Sequence, residues 1–326
     1  MLNKINEYIK NLPLEVEPKG LYEPIRYVLS LGGKRIRPVL MMMAYELYKE
    51  DGADILPQAV ALETYHNFTL LHDDVMDNAD VRRGMPTVHK KWNENTAILS
   101  GDNMLCLAFK WMQTNDNANS NANISKALAT FTKTAIEINH GQQYDVDFET
   151  RDDVTEAEYI EMIRLKTSVL LACALKIGAT LAEAPEEDIE NLYRYGEALG
   201  LAFQLQDDYL DVYGDEKVFG KAIGGDIMCN KKTYMLINAF NKADEEGRAE
   251  LTKWINATDD GSADFRSRKV GAVTAMYNKL GIDQMAKAKM EEYYQVALAA
   301  LDKVNVSDEK KAPLKDFAAK LMKRCS

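Results

Sequence analysis

The chain has 326 residues, 46% of them hydrophobic and 28% charged, so it can bury a substantial core. Its formal net charge of −11 argues against a sequence-independent nucleic-acid binder, because such a protein needs a basic surface to neutralise phosphates. We predict one domain over residues 1–326, since no Pro/Ser-rich or charge-run linker divides the sequence.

The cysteine spacing and the hydropathy pattern indicate the cellular compartment of the protein. Cys106, Cys173, Cys229 and Cys325 lie far apart without a C-x-x-C spacing, which predicts neither a zinc site nor a disulfide framework. No stretch approaches 18 uncharged apolar residues, and the N-terminal segment carries acids and lysines. We therefore expect a cytoplasmic protein with no signal peptide and no integral membrane span.

Helical periodicity dominates from the first third of the chain onward. Gly32-Gly33 predicts a turn, and Pro38 follows near the start of a methionine-rich apolar helix that we assign to the core. Alternating β-branched segments between Asn-Gly or Asp-Gly turns are missing, and Gly and Pro breakers separate pieces of helix length. The sequence therefore predicts an all-α protein.

Two aspartate triplets share one spacing. Residues 73–77, Asp-Asp-Val-Met-Asp, continue an apolar helical run. At about 100° per residue, Asp73 and Asp77 lie on one face, about 40° apart and roughly 6 Å along the helix axis. Residues 207–211, Asp-Asp-Tyr-Leu-Asp, repeat this layout in a second apolar run. Unpaired acids are costly in such settings, so we expect a cation between the two clusters.

The second half of the chain contains two clear helix signals. Thr155 with Glu158 predicts a capping box at the start of a periodic run. After Pro185, acidic residues suited to a helix N-terminus precede apolar residues spaced by three or four up to about Tyr213. One long helix should therefore carry the second aspartate triplet.

Carboxylate ligands favour magnesium, which proteins commonly hold with one or two carboxylates plus substrate phosphates and water. Two facing clusters would then hold a diphosphate through bridging Mg²⁺. Arginine forks and lysine point charges bind phosphate oxygens well. Basic residues beside glycines or near the acidic clusters are Lys34, Arg35, Arg37, Arg82, Arg83, Lys166, Lys221, Lys231 and Lys232.

On these motifs the sequence resembles the trans-isoprenyl diphosphate synthase (polyprenyl synthetase) family, most like its geranylgeranyl and farnesyl diphosphate synthases. The matching motifs span roughly Gly32 to Lys232. They are Gly32-Gly33-Lys34-Arg35-Ile36-Arg37-Pro38, Asp73–Asp77 with Arg82-Arg83-Gly84, Gly141-Gln142-Gln143-Tyr144-Asp145, Phe203–Asp211, and Gly220-Lys221 with Gly225-Asp226 and Asn230-Lys231.

The resemblance implies a single-domain bundle of long antiparallel helices around a central cavity. It implies a head-to-tail prenyltransferase that condenses an allylic diphosphate with isopentenyl diphosphate to an all-trans product of C15–C20. The reaction would proceed by ionisation, condensation and elimination, with three Mg²⁺ per active site. It also implies a homodimer, and no nucleic-acid partner is expected.

The resemblance assigns roles residue by residue. The catalytic residues it implies are Asp73, Asp77, Arg82, Lys166, Asp207 and Lys221, and the metal ligands are Asp73, Asp77 and Asp207 with Asp211 and Asp145. The diphosphate of isopentenyl diphosphate would be held by Lys34, Arg37, His66 and Arg83. The allylic diphosphate would be held by Arg82, Lys166, Lys221 and Lys231, with Gln142, Thr167 and Gln204 near the allylic cation. The late basic loop leaves Lys231 and Lys232 as alternatives, and we favour Lys231.

Product length in the family depends on a bulky residue five positions before the first aspartate, which here is Phe68. On an ideal helix Phe68 lies about 140° from Asp73, whereas Thr69 and Tyr65 lie about 40° and 80° from it. Tyr65 is therefore a second candidate for the floor of the pocket. With Phe68 bulky and Thr69 small, these three chain-length residues resemble those of synthases that make C20 or C15 products.

Two alternative functions remain at this point. Glu63-x-x-His66 and Glu137-x-x-His140 match the Glu-x-x-His motif of di-iron carboxylate bundles, but that reading leaves the basic residues and both aspartate triplets without a role. A terpene cyclase or a non-catalytic subunit would keep the fold. Cyclases usually lack the Gly-Gly-Lys-x-x-Arg site, and inactive subunits tend to lose aspartates, so we favour an active condensing enzyme.

Overall fold

The computed structural model describes residues 1–115, 121–215 and 223–323; Lys221, a predicted catalytic residue, lies outside these ranges. The helices are α1 Leu2–Lys10, α2 Lys19–Ser30, α3 Ile36–Glu46, α4 Leu56–Met76, α5 Val88–Lys91, α6 Glu94–Met112, α7 Asn121–Thr150, α8 Glu156–Ile163, α9 Val169–Leu181, α10 Glu186–Tyr213, α11 Gly225–Met228, α12 Tyr234–Lys242, α13 Glu245–Ile255, α14 Ala263–Leu280, α15 Ile282–Asp302 and α16 Asp308–Met322.

The remaining regular elements are short. A 3₁₀ turn spans Gly52–Ile55, and a π-helical segment spans Arg164–Ser168 between α8 and α9. Strands β1 (Val81–Arg82) and β2 (Met85–Pro86) pair antiparallel after α4. The all-α class predicted from the sequence is confirmed, because the described ranges add to the helices only this hairpin of two two-residue strands.

Backbone contacts divide the chain into two compact units, each formed from separate stretches of sequence. Unit 1 contains residues 1–133 and 173–193, and unit 2 contains residues 134–172 and 194–326. The single domain over residues 1–326 stays a prediction. Among the described residues, every helix is too short or too polar to cross a membrane.

Unit 1 is organised around α4. Every residue from Pro57 to Tyr65 is buried, as expected of a helix that is apolar on nearly all sides. The predicted methionine-rich helix is α3, whose Met41 and Met42 are fully buried, so its assignment to the core is confirmed. Gly178 of α9 allows close approach to α3, since a Cβ there would lie 2.1 Å from the Met41 carbonyl oxygen.

Unit 2 has its own core, which includes buried residues of α8, α10, α12, α13 and α14. The long helix predicted after Pro185 is α10, and it ends at Tyr213 as expected. The capping box is also confirmed: the Thr155 hydroxyl accepts from the Glu158 amide, and the Glu158 carboxylate accepts from the Thr155 amide. Local sequence signals therefore located these elements correctly.

Candidate active site

The first aspartate triplet lies at the C-terminal end of α4. Asp73 is in the last turn, and Asp77 follows the helix with its amide donating to the Asp73 carbonyl at 2.8 Å. Asp73 is half-buried and Asp77 is exposed, whereas Asp74 between them is buried. Burial raises the pKa of Asp74, and the guanidinium of Arg82, whose Nε donates to Asp74 Oδ1 at 2.7 Å, acts in the opposite direction.

The β1–β2 hairpin sends its two arginines to different partners. Arg82 reaches Asp74 at the acidic end of α4. Arg83, in the left-handed region with φ 53°, donates to the Gly32 carbonyl and, at 3.4 Å, to Asn67 Oδ1. Gly33 lies against this guanidinium, because a Cβ there would be 3.2 Å from its central carbon. The two neighbouring arginines thus contact residues at two separate sites.

The second of these sites is a basic region around residues 32–37. Lys34 is exposed and Arg37 half-buried at the start of α3. Burial lowers the pKa of His66 well below its usual value, and the positive charges of Arg37 and Arg83 lower it further. A neutral imidazole among several guanidiniums is suited to hydrogen bonding with an anion that the arginines attract. The structure thus groups these predicted phosphate ligands in unit 1.

An aromatic cluster lies on the same helix, before the aspartates. The Phe68 ring is 4.8 Å from the His72 ring and 5.5 Å from the Tyr65 ring, centroid to centroid. Buried Tyr65 also packs edge-on against Phe131 of α7 at 5.2 Å. Thr69 turns back to its own helix, since its hydroxyl donates to the His66 carbonyl at 2.9 Å. Phe68 and Tyr65 are therefore in contact, as a shared role in setting product length requires.

The second aspartate triplet lies near the end of α10 in unit 2. Asp207 is half-buried, and Asp208 and Asp211 are buried. Asp208 accepts hydrogen bonds from the Tyr159 hydroxyl and from Gln204 Nε2, the latter at 3.1 Å. Burial raises the pKa of Asp208 to about 7. The second aspartate of each triplet, Asp74 or Asp208, is therefore hydrogen-bonded to other side chains of the protein.

The π-helical segment presents Lys166 and Thr167. Lys166 Nζ lies 2.6 Å from Asp145 Oδ2, and the Thr167 hydroxyl donates to Gln204 Oε1 at 3.0 Å. Burial alone would raise the pKa of Asp145, but Lys231 and Lys166 lower it below its usual value. The structure thus brings Lys166, Thr167, Gln204 and Asp145 together, and Gln142 lies on α7 one turn before Asp145.

The segment of residues 223–233 brings Lys231, and not the adjacent Lys232, toward the acids of α10. Asp211 Oδ2 accepts the Asp226 amide at 3.0 Å, and the Asp226 carbonyl accepts the Lys231 amide at 2.9 Å. The charge of Lys231 lowers the pKa of both Asp145 and Asp208. Lys232 instead pairs with Asp152 at 3.1 Å. Lys231 is therefore the lysine directed at the acidic cluster.

Sequence reasoning missed two residues that the structure places among the predicted ones. Asn67 joins Arg83 to α4. Tyr159 meets Asp208 from α8. No sequence motif marked Asn67 or Tyr159, because their partners lie 16 and 49 residues away in the chain.

Comparisons with known proteins agree with one another. A family model described as Polyprenyl synthetase matches residues 18–269. The chain is 47% identical over 238 residues to the geranylgeranyl diphosphate synthase of Methanosarcina mazei, covering 72% of this chain and 73% of that protein. It is 38% identical over 305 residues to the geranylfarnesyl diphosphate synthase of Natronomonas pharaonis, covering 85% and 89% respectively.

Solved structures show the same similarity in three dimensions. A crystal structure of a geranylgeranyl pyrophosphate synthase superposes with a TM-score of 0.92 at 42% sequence identity. The match covers 100% of this chain and 99% of that one.

Proposed function

This chain belongs to the polyprenyl synthetase family of prenyltransferases, and we propose that it condenses an allylic diphosphate with isopentenyl diphosphate, head to tail, to an all-trans product of C15–C20. The family predicted from the two aspartate triplets is thereby confirmed. The transferase class follows from the family, whereas the substrates, the product length and the residue roles below are our proposal.

One observation carries the proposal. Adjacent Arg82 and Arg83 turn to different partners, the first to the acidic end of α4 and the second to the basic region at Gly32. The proposal therefore assigns to unit 1 an acid-rich anion site at the end of α4 and a predominantly basic anion site at residues 32–37. A condensing enzyme with two diphosphate substrates needs both, whereas a cyclase with one diphosphate needs only the first.

In the basic region, Lys34, Arg37, His66 and Arg83 hold the diphosphate of isopentenyl diphosphate. The guanidiniums and the ammonium neutralise it without a metal, and the imidazole, kept neutral by its surroundings, contributes a hydrogen bond. This arrangement leaves the double bond of the bound molecule to act as the nucleophile.

The allylic diphosphate is assigned to the acidic residues and to Arg82, Lys166 and Lys231, with Lys221 as a further ligand outside the described residues. Asp73, Asp77 and Asp207 are suited to Mg²⁺, because they are exposed or half-buried carboxylates, the hard oxygen donors that this ion prefers. Asp145 and Asp211 are further ligands in the proposal, and each also bonds to a protein group, Lys166 and the Asp226 amide. When bound, Mg²⁺ neutralises charge on the leaving diphosphate; we propose three ions per site.

The protein groups then act at defined points of the reaction. Arg82, Lys166 and Lys231 stabilise the negative charge that grows on the diphosphate as the allylic C–O bond breaks. The oxygens of Gln142, Thr167 and Gln204 lie near the cationic carbon, where weak dipoles stabilise it without attacking it. The new C–C bond forms, and a proton leaves to the released diphosphate. Phe68 and Tyr65 limit how long the product grows.

The test is to incubate the purified protein with Mg²⁺, labelled isopentenyl diphosphate and each of dimethylallyl, geranyl and farnesyl diphosphate. Chromatography of the dephosphorylated products should show elongation that stops at C15 or C20 and that disappears when a chelator removes the metal. Absence of elongation with every starter would refute the proposal and favour a cyclase or a non-catalytic subunit.

The di-iron alternative is wrong. The chain belongs to a prenyltransferase family, and the Glu63 carboxylate forms a buried ion pair with Arg35 instead of being available to iron. A homodimer, which rests on the family resemblance, and a cytoplasmic location, which rests on the cysteine and hydropathy pattern, remain proposals.

A further inference from the structure

Arg35 and Glu63 form an ion pair that the proposed chemistry does not use. Arg35 Nη1 lies 2.7 Å from Glu63 Oε1, and the two side chains are only 2% and 3% exposed. Removing two charges from water carries a large desolvation penalty, and the mutual attraction offsets it only when further hydrogen bonds satisfy both groups. Such a pair is weak evidence for stability, so another role must be considered.

Both partners form further hydrogen bonds. Arg35 Nη2 donates to the Leu29 carbonyl at 2.7 Å, and its Nε donates to Asn6 Oδ1 at 3.3 Å. Glu63 accepts a second hydrogen bond, from Asn67 Nδ2 at 3.1 Å, and the same amide donates to the Glu63 carbonyl at 2.7 Å. The guanidinium therefore joins α1 and α2 to α4 through directed bonds.

The pair continues into a closed circuit around the basic region. Asn67 Oδ1 accepts from Arg83, and Arg83 donates to the carbonyl of Gly32, three residues before Arg35. The backbone of Arg35 is in the left-handed region, at φ 48° and ψ 39°, and its carbonyl accepts the Val39 amide at the start of α3. The side chain thus anchors a strained turn that links Lys34 to the start of α3.

Glu63 is the acid of this circuit and faces two guanidiniums. Burial lowers the pKa of Arg83, and the carboxylate of Glu63 acts in the opposite direction. The positive charge of Arg35 adds to those of Arg37 and Arg83 in lowering the pKa of His66. Glu63 therefore supports a group of cations that would otherwise repel one another.

We propose that Arg35 and Glu63, linked through Asn67, are positioning residues that hold Lys34, Arg37, His66 and Arg83 in register for the diphosphate of the non-allylic substrate. This inference rests on the proposed function of that site. The hydrogen bonds described for the circuit lead to Asn6, Leu29 and Gly32, whereas Arg82 pairs with Asp74, so KM for the two substrates should respond differently to loss of the circuit.

The experiment measures KM for each substrate, kcat and the thermal midpoint in three variants. Glu63→Gln keeps the shape of the side chain and removes its charge. Asn67→Ala opens the circuit while the buried charges of Arg35 and Glu63 stay paired. Each should raise KM for isopentenyl diphosphate by about tenfold, as expected for a small displacement of ligands. KM for the allylic diphosphate should stay at the wild-type value. Glu190→Gln, which alters the Lys176–Glu190 pair between α9 and α10, is the matched control and should change neither KM.

The double variant Arg35→Met/Glu63→Met separates positioning from stability. Replacing both charges by apolar groups should recover the thermal midpoint lost in Glu63→Gln, while KM for isopentenyl diphosphate stays high. Equal rises in both KM values, or an unchanged KM ratio in Glu63→Gln and Asn67→Ala, would overturn the inference. A wild-type protein without condensing activity would instead refute the proposed function, so the two failures are distinguishable.

Discussion

At the residue scale, the first and second aspartates of each triplet differ in burial in the same way. Asp74 and Asp208 are buried and bonded to Arg82 and to Tyr159, whereas the acid before each of them is half-buried. A residue one step along a helix points about 100° away, so consecutive acids face different surroundings. Position i+1 of each triplet bonds to other protein groups, whereas position i+4 differs, because Asp77 is exposed and Asp211 is buried and accepts the Asp226 amide.

The same reasoning applies to Lys231 and Lys232. Lys231→Met should lower kcat by roughly hundredfold, because a preorganised charge at the leaving diphosphate is removed. Lys232→Met should keep near wild-type kcat, since its partner Asp152 is 93% exposed and pairs with exposed acids contribute little. Steady-state kinetics on both variants decides the matter, and the reverse order of effects would assign the active-site role to Lys232.

Phe68 and Tyr65 predict a graded change in product length. Phe68→Ala removes the ring nearest the aspartates, so products should grow by at least one isoprene unit. The double variant Phe68→Ala/Tyr65→Ala should grow them further, because Tyr65 is the next ring and is held by Phe131. Chromatography of the dephosphorylated products measures this, and an unchanged distribution in both variants would remove these rings from the floor of the pocket.

At the scale of elements, the π-helical segment at Arg164–Ser168 is held between two glycines. A Cβ on Gly141 of α7 would lie 2.4 Å from the Lys166 amide nitrogen, and a Cβ on Gly200 of α10 would lie 2.6 Å from the Ser168 Cα. These close approaches allow a widened turn to pack directly on both helices, and such turns are frequent at functional sites. This packing therefore fixes the positions of Lys166 and Thr167 in the segment.

Gly141→Ala should therefore lower both stability and activity. Overpacking against backbone atoms should cost about 1–3 kcal/mol in the free energy of unfolding, and the shifted segment should also lower kcat. Gly271→Ala on α14 is the matched control, because nothing lies within 4 Å of the added Cβ. It should stabilise the protein by about 0.5–1 kcal/mol at unchanged kcat. Denaturant unfolding and initial rates on both variants test this; equal effects would refute the steric account.

At the scale of the whole molecule, the predicted ligands are distributed unevenly between the two units. Lys34, Arg37, His66 and Arg83 all belong to unit 1, whereas the residues assigned to the allylic diphosphate and its metals come from both. The proposed site for isopentenyl diphosphate therefore depends on the packing of unit 1 alone. Variants of Arg35 and Glu63, which lie in the same unit, should accordingly raise KM for isopentenyl diphosphate.

The proposed homodimer makes a separate prediction. Leu99 of α6 is 59% exposed and its neighbour Ile98 is 44% exposed, which is unusual for adjacent large apolar residues on a helix. Light scattering should give the wild type a mass near twice the 36.8 kDa of one chain, and Leu99→Glu should lower it toward a single chain. Val296→Glu on α15, at a site 51% exposed, is the control and should leave the mass unchanged. A wild-type mass of one chain would refute the dimer.

The sequence by itself determined the helical class, the bounds of α10, the capping box at Thr155 and the family. These features depend on local periodicity, capping chemistry and motif spacing, all of which lie within a few residues in the chain. The motif order also placed most of the candidate ligands on the correct elements, as in the acids of α4 and α10.

Only the tertiary structure decided which partners are contacted by residues that are neighbours in the sequence. It directed Lys231 rather than Lys232 at the acids, separated Arg82 from Arg83, and buried Arg35 against Glu63. Each choice depends on a partner many residues away, such as Glu63 for Arg35 or Gly141 for the π-helical segment. Local patterns carry no information about such partners, because the contact exists only after separate helices have packed together.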